Sequence, residues 1–292
     1  MLITVFTPAY NRASLLPRLY HSLCRQSIKD FEWLIVDDGS VDDTEVVVSS
    51  FIKEQREGFN IRYVKKPNGG KHTAINLGVQ LAEGELFFIV DSDDSLPDNS
   101  IELISTAFLK ADTDETLAGV CGYMSHHNGK MIGHYVSTEV EITNTRELQY
   151  KYNVGWDMAE VLRTTVLKEI PFPEVEGEKF CPEALVLFRV AKKYNFRLFP
   201  SVVYYRDYLD GGLTDNIIRI RMKSPIATTL YYSELNKECI PFWAKTKAAI
   251  NFYRFYFCLA KGKKNIAMIS CCWIWTYPLG CIMHIIDLIK CR

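Results

Sequence analysis

Three carboxylates stand within four residues at Asp91-Ser92-Asp93-Asp94, directly after the apolar run Leu86-Phe87-Phe88-Ile89-Val90. Acidic side chains are seldom fully buried, so here the chain must meet water, a cation or a polar ligand. Carboxylate oxygens are hard donors of the kind that hold divalent ions. The same order of residue types occurs earlier, where Phe31–Val36 runs into Asp37-Asp38-Gly39-Ser40. Lys71 follows two glycines at a predicted helix start, where a cation beside free backbone N–H groups suits a phosphate. Further along, Trp156-Asp157 pairs an apolar ring with a carboxylate, a combination that can stack on a flat face and hold a hydroxyl at its rim.

Elements must bring these groups together. An apolar run without polar alternation is what a strand needs when both faces of its sheet are covered. Strands are predicted at Leu2–Phe6, Phe31–Val36, Ile61–Val64 and Leu86–Val90, with helices over Ser14–Gln26, Asp42–Gln55, His72–Glu83 and Ser100–Lys110 between them. That alternation predicts a mostly parallel α/β sheet covered by helices, with ligands at the edge where its strands end. After residue 115 the rhythm loosens. Gly119–Ser125, Met131–Val136 and Phe196–Tyr205 read as strands of a mixed extension, while Thr143–Tyr152, Met158–Thr165 and Pro182–Lys193 read as helices.

The 292 residues carry a net charge of −1, which hides an asymmetry. From Ile217 to Arg292 there are 12 Lys/Arg against 3 Asp/Glu, a surplus of +9, so residues 1–216 carry −10. A basic tail on an acidic body predicts an anionic partner surface, membrane or nucleic acid. Ile266–Ile286 has no Lys, Arg, Asp or Glu in 21 residues but holds Pro278, Gly280 and a cluster of Trp273, Trp275 and Tyr277. That mixture fits an interfacial or re-entrant segment better than a straight span, with a C-terminal pair of core helices as the other reading; together with the basic surplus it makes a membrane surface the expected partner and nucleic acid not. Nine cysteines without a C-x-x-C pair predict neither a zinc framework nor a full disulfide set. With an opening directly on an apolar strand, they favour a cytoplasmic protein peripheral to the inner face of the membrane. No G-x-x-x-x-G-K-[ST] is present, which excludes a P-loop NTPase, and no G-x-G-x-x-G follows the first strand, which disfavours a nicotinamide dehydrogenase.

Thr7-Pro8-Ala9-Tyr10-Asn11-Arg12, Val36-Asp37-Asp38-Gly39-Ser40, Asn68-Gly69-Gly70 with Ala74-Ile75-Asn76-Leu77-Gly78, and Asp91-Ser92-Asp93-Asp94 occur in an order that resembles family 2 glycosyltransferases of the GT-A fold. The resemblance covers residues 1–110 closely, 150–215 loosely and the C-terminal tail hardly at all. It implies an inverting, nucleotide-sugar-dependent transferase of the hexosyltransferase type: a GT-A catalytic domain over 1–216, with a donor-binding half (1–110) and an acceptor half (111–216), followed by a basic, apolar helical extension over 217–292. The expected donor is a UDP-sugar, and the expected acceptor is a glycan or lipid-linked glycan of surface polysaccharide biosynthesis.

The resemblance also implies residue roles. Asp93 is a ligand of Mn²⁺ or Mg²⁺, Asp91 contacts the metal or the donor ribose, and Ser92 binds the nucleotide-sugar beside it. Asp38 accepts a hydrogen bond from a pyrimidine N3–H; Thr7, Pro8, Tyr10 and Arg12 form the opposite wall of the base pocket; Lys71 meets phosphate. Trp156 and Asp157 are candidates for acceptor binding. Family members carry a Glu-Asp pair at the start of a later helix, where this chain has Glu183-Ala184, so Glu183 is the candidate base and Glu178 the second candidate. A histidine ligand is not expected in Tyr205-Arg206-Asp207-Tyr208-Leu209-Asp210-Gly211-Gly212, where Asp210 and the double glycine read as a mobile lid. Two rivals stand beside this reading. A nucleotide-sugar-binding scaffold without catalysis is kept open by Ala184, and a sugar-phosphate nucleotidyltransferase is disfavoured because Thr7–Arg12 is not a basic glycine-rich loop.

Overall fold

The computed structural model describes residues 2–54, 58–110, 113–137, 139–155, 157–206, 216–263 and 267–291. Trp156 and the segment containing Asp210 lie outside these described residues. The chain forms two compact units, one of Met1–Pro171 with Arg189–Asp207, the other of Phe172–Phe188 with Tyr208–Arg292.

The first unit begins with strands β1 (Ile3–Ala9), β2 (Phe31–Asp37), β3 (Asn60–Lys65) and β4 (Leu86–Ile89). Helices α1 (Leu16–Cys24), α2 (Thr44–Glu54), α3 (Lys71–Leu81) and α4 (Ser100–Leu109) alternate with them. After these come β5 (Leu117–Ser125), β6 (Ile142–Thr143), α5 (Thr145–Tyr150), β7 (Met158–Arg163), α6 (Thr164–Glu169) and β8 (Asn195–Tyr205). The strands form one eight-stranded sheet in the order β3-β2-β1-β4-β7-β5-β8-β6. Strands β1 to β4 are mutually parallel where they pair, β7 runs antiparallel to both β4 and β5, and β6 runs antiparallel to β8. This is the mostly parallel α/β sheet with a mixed extension that the residues predict.

The uninterrupted apolar runs are explained by burial on both faces. Val5, Trp33 and Phe88 belong to the cluster packed with Leu16, Leu19 and Val48 of α1 and α2. Phe6 and Phe87, one residue out of step, stack with ring centroids 4.8 Å apart. Helix α3 presses onto Phe6 so closely that a Cβ at Gly78 would lie 2.1 Å from its ring. Only glycine allows that approach.

Two expected elements differ. Met158–Thr165 was expected as a helix, since Met, Ala, Glu, Leu and Arg all favour one, but Met158–Arg163 is strand β7. Wedged between β4 and β5, it gains ladder bonds on both sides and buries Met158, Ala159, Val161 and Leu162, which outweighs a weak local preference. Met131–Val136 forms no strand; Met131 makes a single bridge to Ser125.

The second unit contains all but the last two residues of α7 (Glu183–Val190), then α8 (Ile217–Lys223), α9 (Pro225–Lys237), α10 (Phe242–Tyr256) and α11 (Tyr277–Lys290), the last preceded by a 3₁₀ turn at Cys271–Thr276. Cys271–Lys290 is long and apolar enough to cross a membrane, with mean hydropathy 1.4, and only 22% of its most apolar window is buried. Ile282, Ile285, Ile286 and Ile289 are exposed along it.

Candidate active site at the carboxyl edge of the sheet

Because β2 and β4 flank β1 in parallel, their carboxyl ends share one edge of the sheet. Ala9 pairs with Asp37, and Asp37 with Lys65, so the exits of three strands lie side by side. The Asp38 N–H donates to Ala9 O at 2.8 Å and the Val90 N–H to Phe6 O at 2.8 Å, carrying the parallel register to the acidic residues themselves.

The first acidic corner is closed. Asp38 is buried, and its carboxylate accepts from Lys66 Nζ (2.7 Å), Gly69 N (2.9 Å), Gly70 N (2.7 Å) and Asn68 Nδ2 (3.1 Å). Four donors match the roughly four acceptor positions of a carboxylate. Asp37 accepts from Ser40 N at 2.7 Å and Tyr63 Oη at 2.5 Å. Gly39, at φ 83°, lets the loop fold over: a Cβ there would lie 2.9 Å from the Asn68 nitrogen. In this arrangement Asp38 braces the 66–70 loop, which delivers Lys71 to the N-terminus of α3.

Opposite, Tyr10 and Arg12 sit on a loop pinned to residues 40–44. Asn11, in the left-handed region at φ 54°, donates its N–H to Ser40 Oγ (2.8 Å) and accepts from Val41 N (2.9 Å) through Oδ1. The Arg12 N–H donates to Thr44 Oγ1 at 3.0 Å. Asparagine tolerates this backbone better than bulkier residues. Tyr10 is exposed and Pro8 half-buried, whereas Thr7 is buried with Oγ1 accepting from Trp33 Nε1 at 2.9 Å, so Thr7 serves the core side of that wall.

The second acidic corner is open. Carboxylate oxygens of Asp91, Asp93 and Asp94 all lie within 4.8 Å of one another. Lys71 Nζ meets Asp91 Oδ1 at 2.6 Å. Burial works against ionisation of Asp91, but Lys71, then Arg206 and Arg12, outweigh it and hold the carboxyl below the usual range. For Asp94, burial and then the neighbouring Asp91 charge push the carboxyl up to about 7, opposed by the hydrogen bond from Tyr204 Oη at 2.6 Å. The same Tyr204 oxygen accepts from Asp91 N at 3.0 Å, which fixes the turn. Asp93 takes no protein donor among the described residues. Ser92 is buried between them. Three hard oxygen donors, one of them uncommitted, fit a divalent cation such as Mg²⁺ or Mn²⁺.

Asp157 accepts from Arg206 NH1 at 2.6 Å in the same unit. Tyr204 and Arg206 are contributors that the sequence reading did not single out as site residues. They stand at and just after the end of β8, Tyr204 lying 110 residues from Asp94, and β8 is three places from β4 in the sheet. In the second unit, Glu183 is exposed on the first turn of α7. Glu178 is buried; its two oxygens accept from Ile226 N (2.6 Å) and Ala227 N (2.8 Å), so it anchors the start of α9. Burial raises its carboxyl while those N–H groups pull it down.

Residues 4–170, more than half of the chain, match the model of Glycosyl transferase family 2. The chain belongs to this family. Among curated relatives, a chondroitin synthase of Pasteurella multocida (strain Pm70) is 36% identical over 127 residues, 44% of this chain and 12% of that protein. The chain thus spans a small fraction of the length of that relative. A Campylobacter jejuni GalNAc(5)-diNAcBac-PP-undecaprenol beta-1,3-glucosyltransferase is 26% identical over 282 residues, covering 92% of this family 2 chain and 86% of the relative. The crystal structure of Staphylococcus aureus TarS 1-349 in complex with UDP-GlcNAc superposes with a TM-score of 0.61 at 20% identity, over 96% of this chain and 79% of that one. At that identity the likeness is one of fold.

Proposed function

We propose that this chain is a metal-dependent, inverting glycosyltransferase that moves a sugar from a UDP-sugar to a glycan or lipid-linked glycan acceptor in surface polysaccharide synthesis. The observation that carries this reading is the Lys71–Asp91 pair at 2.6 Å beside an uncommitted Asp93, at the edge where α/β sheets bind ligands. UDP-GlcNAc in a protein of the same fold and an undecaprenol-linked substrate in the name of a relative support the donor and acceptor classes.

Functionally, 1–110 is the donor half, 111–216 the acceptor half and 217–292 an extension for a membrane surface. Asp93 and Asp91 would hold Mn²⁺ or Mg²⁺, which when bound supplies charge neutralisation for the departing diphosphate. Lys71, at the N-terminus of α3, takes phosphate; Ser92 and Asp91 lie beside the donor sugar end. Tyr10, Arg12 and Pro8, backed by Thr7, wall the base, and Asp38, its acceptor positions taken by four protein donors, holds the opposite loop in shape rather than accepting from a pyrimidine N3–H. Asp157, with Trp156, takes the acceptor. In the transfer, the acceptor hydroxyl oxygen bonds to the anomeric carbon, the bond from that carbon to phosphate breaks with its electron pair leaving on the diphosphate, and the hydroxyl proton passes to Glu183. Glu178, spent on α9, is the weaker candidate for the base.

Location at the inner face of the membrane is supported by the exposed apolar Cys271–Lys290 stretch and the basic surplus of the tail. A thermal-shift panel of nucleotide sugars with Mn²⁺ or with EDTA, followed by donor turnover, tests the whole reading. Stabilisation by UDP-sugars that EDTA removes is expected; equal stabilisation with EDTA would refute the metal part. Glu183→Gln should lower kcat about 10²–10⁴-fold with donor binding kept. Undiminished turnover in that variant excludes Glu183 as the base, and binding without any turnover by the unmutated chain across acceptors favours the scaffold.

A further inference from the structure

The second unit contains a cavity of about 630 Å³ between α8, α9, α10 and α11, within the size range of small-molecule sites. Its lining combines two chemistries. Arg221, Lys247 and Arg254 supply three cations, while Trp243, Ile250 and Met283 supply apolar walls. Arg254 is neutralised within the fold, since its Nε and NH2 groups donate to the two Asp287 oxygens at 2.5 and 2.6 Å. The other two cations are not. Lys247 is exposed and has no ion pair among the described residues. Among the described residues Arg221 has no carboxylate partner: its guanidinium lies over the rings of Tyr231 and Tyr232 and donates to the Tyr232 hydroxyl, while its buried Nε meets no acceptor among those residues. A buried donor without an acceptor is uncommon and calls for an explanation. An anion placed here would meet a net positive lining and one waiting N–H group.

The apolar side identifies what the anion is attached to. Met283 lines the cavity from α11, and the same helix exposes Leu279, Ile282 and Ile286 to the surroundings. An acyl or prenyl chain leaving the cavity past Met283 would therefore stay on apolar surface. We propose that this cavity binds a phosphate-headed lipid, with the phosphate on Arg221 and Lys247 and the chain along Trp243, Ile250 and Met283. The inference deepens the membrane part of the proposed function and rests on it. It assigns to the extension recognition of one head group rather than a diffuse attraction to negative charge.

The test is calorimetry on the full chain with soluble dihexanoyl phosphatidic acid, using inorganic phosphate and dihexanoyl phosphatidylcholine as the two half-ligands. Binding of phosphatidic acid at least about tenfold tighter than either is expected, because both parts of the cavity must be used. The double variant Arg221→Gln/Lys247→Gln should weaken it at least about tenfold, whereas Lys237→Gln/Lys290→Gln, which removes the same charge elsewhere, should change it less than about twofold. Lys247→Gln alone keeps the test sound if the arginine variant unfolds, and should cost roughly fivefold. Inorganic phosphate binding as tightly as the lipid would overturn the lipid assignment, and equal losses in the two double variants would overturn the cavity. Anionic vesicles run in parallel separate the two failures: vesicle binding that ignores the cavity variants leaves membrane attachment standing and removes only this site. UDP-sugar turnover is read independently of both.

Discussion

The two acidic corners of the sheet edge are built from similar residues and have opposite fates. After β2, Asp38 receives four protein donors and Asp37 two, so the corner is finished scaffold. After β4, three carboxylates crowd within 4.8 Å while Lys71, Tyr204 and the Asp91 backbone turn supply only part of what they need. A carboxylate saturated by backbone N–H groups and an ammonium shapes a loop. One left unsaturated among like charges is a candidate cation site.

The largest expected effect comes from the open corner. Asp93→Ala should cut metal-dependent donor turnover by at least about 100-fold. Since the side chain has no protein donor among the described residues, the unfolding free energy should move by less than about 0.5 kcal/mol. Full activity in Asp93→Ala, measured with saturating Mn²⁺, would show that the open corner is merely solvated.

At the closed corner the expectation reverses. Asp38→Ala leaves Lys66 and the N–H groups of Gly69 and Gly70 without their acceptor, and should cost about 3–5 kcal/mol in denaturant unfolding. A loss below about 1 kcal/mol would mean that water replaces the brace and the two corners are alike.

Tyr204→Phe probes the support of the open corner. Removing its hydroxyl should weaken Mn²⁺ binding about 10–100-fold, with stability changed by only about 1 kcal/mol. The smallest effect is that of pH. With the Asp94 carboxyl at about 7 before a cation arrives, binding must release its proton when the solution is more acidic. Mn²⁺ affinity should therefore climb as pH rises from 6 toward 7, by up to about tenfold per unit, and flatten above that range. In Tyr204→Phe the loss of the hydrogen bond that lowers this carboxyl should move the flattening to higher pH. Titrations by calorimetry at pH 6, 7 and 8 would show it, and a flat profile would contradict it.

Much of this arrangement was legible. Leu86–Val90 had no polar residue to put on a solvent face and Phe31–Val36 had only Glu32, so each read as a doubly covered strand with its aspartates leaving the core at the end. Met158–Arg163 was not legible, because its residues favour a helix in isolation and become a strand only through the partners β4 and β5. Glu178 was equally opaque as a residue: nothing in its neighbourhood along the chain announces two N–H groups some fifty residues away.

Sequence alone determined that acidic groups, a lysine and a glycine-rich turn would gather at one edge of a parallel sheet, since burial of the apolar strands leaves the carboxylates nowhere else to emerge. Tertiary structure decided which carboxylate is spent and which is available. Hydrogen-bond donors to Asp38 come from a neighbouring loop, and the donor to Asp94 comes from a strand 110 residues away. A charge's role is set by the groups that surround it in space, and those groups are chosen by folding.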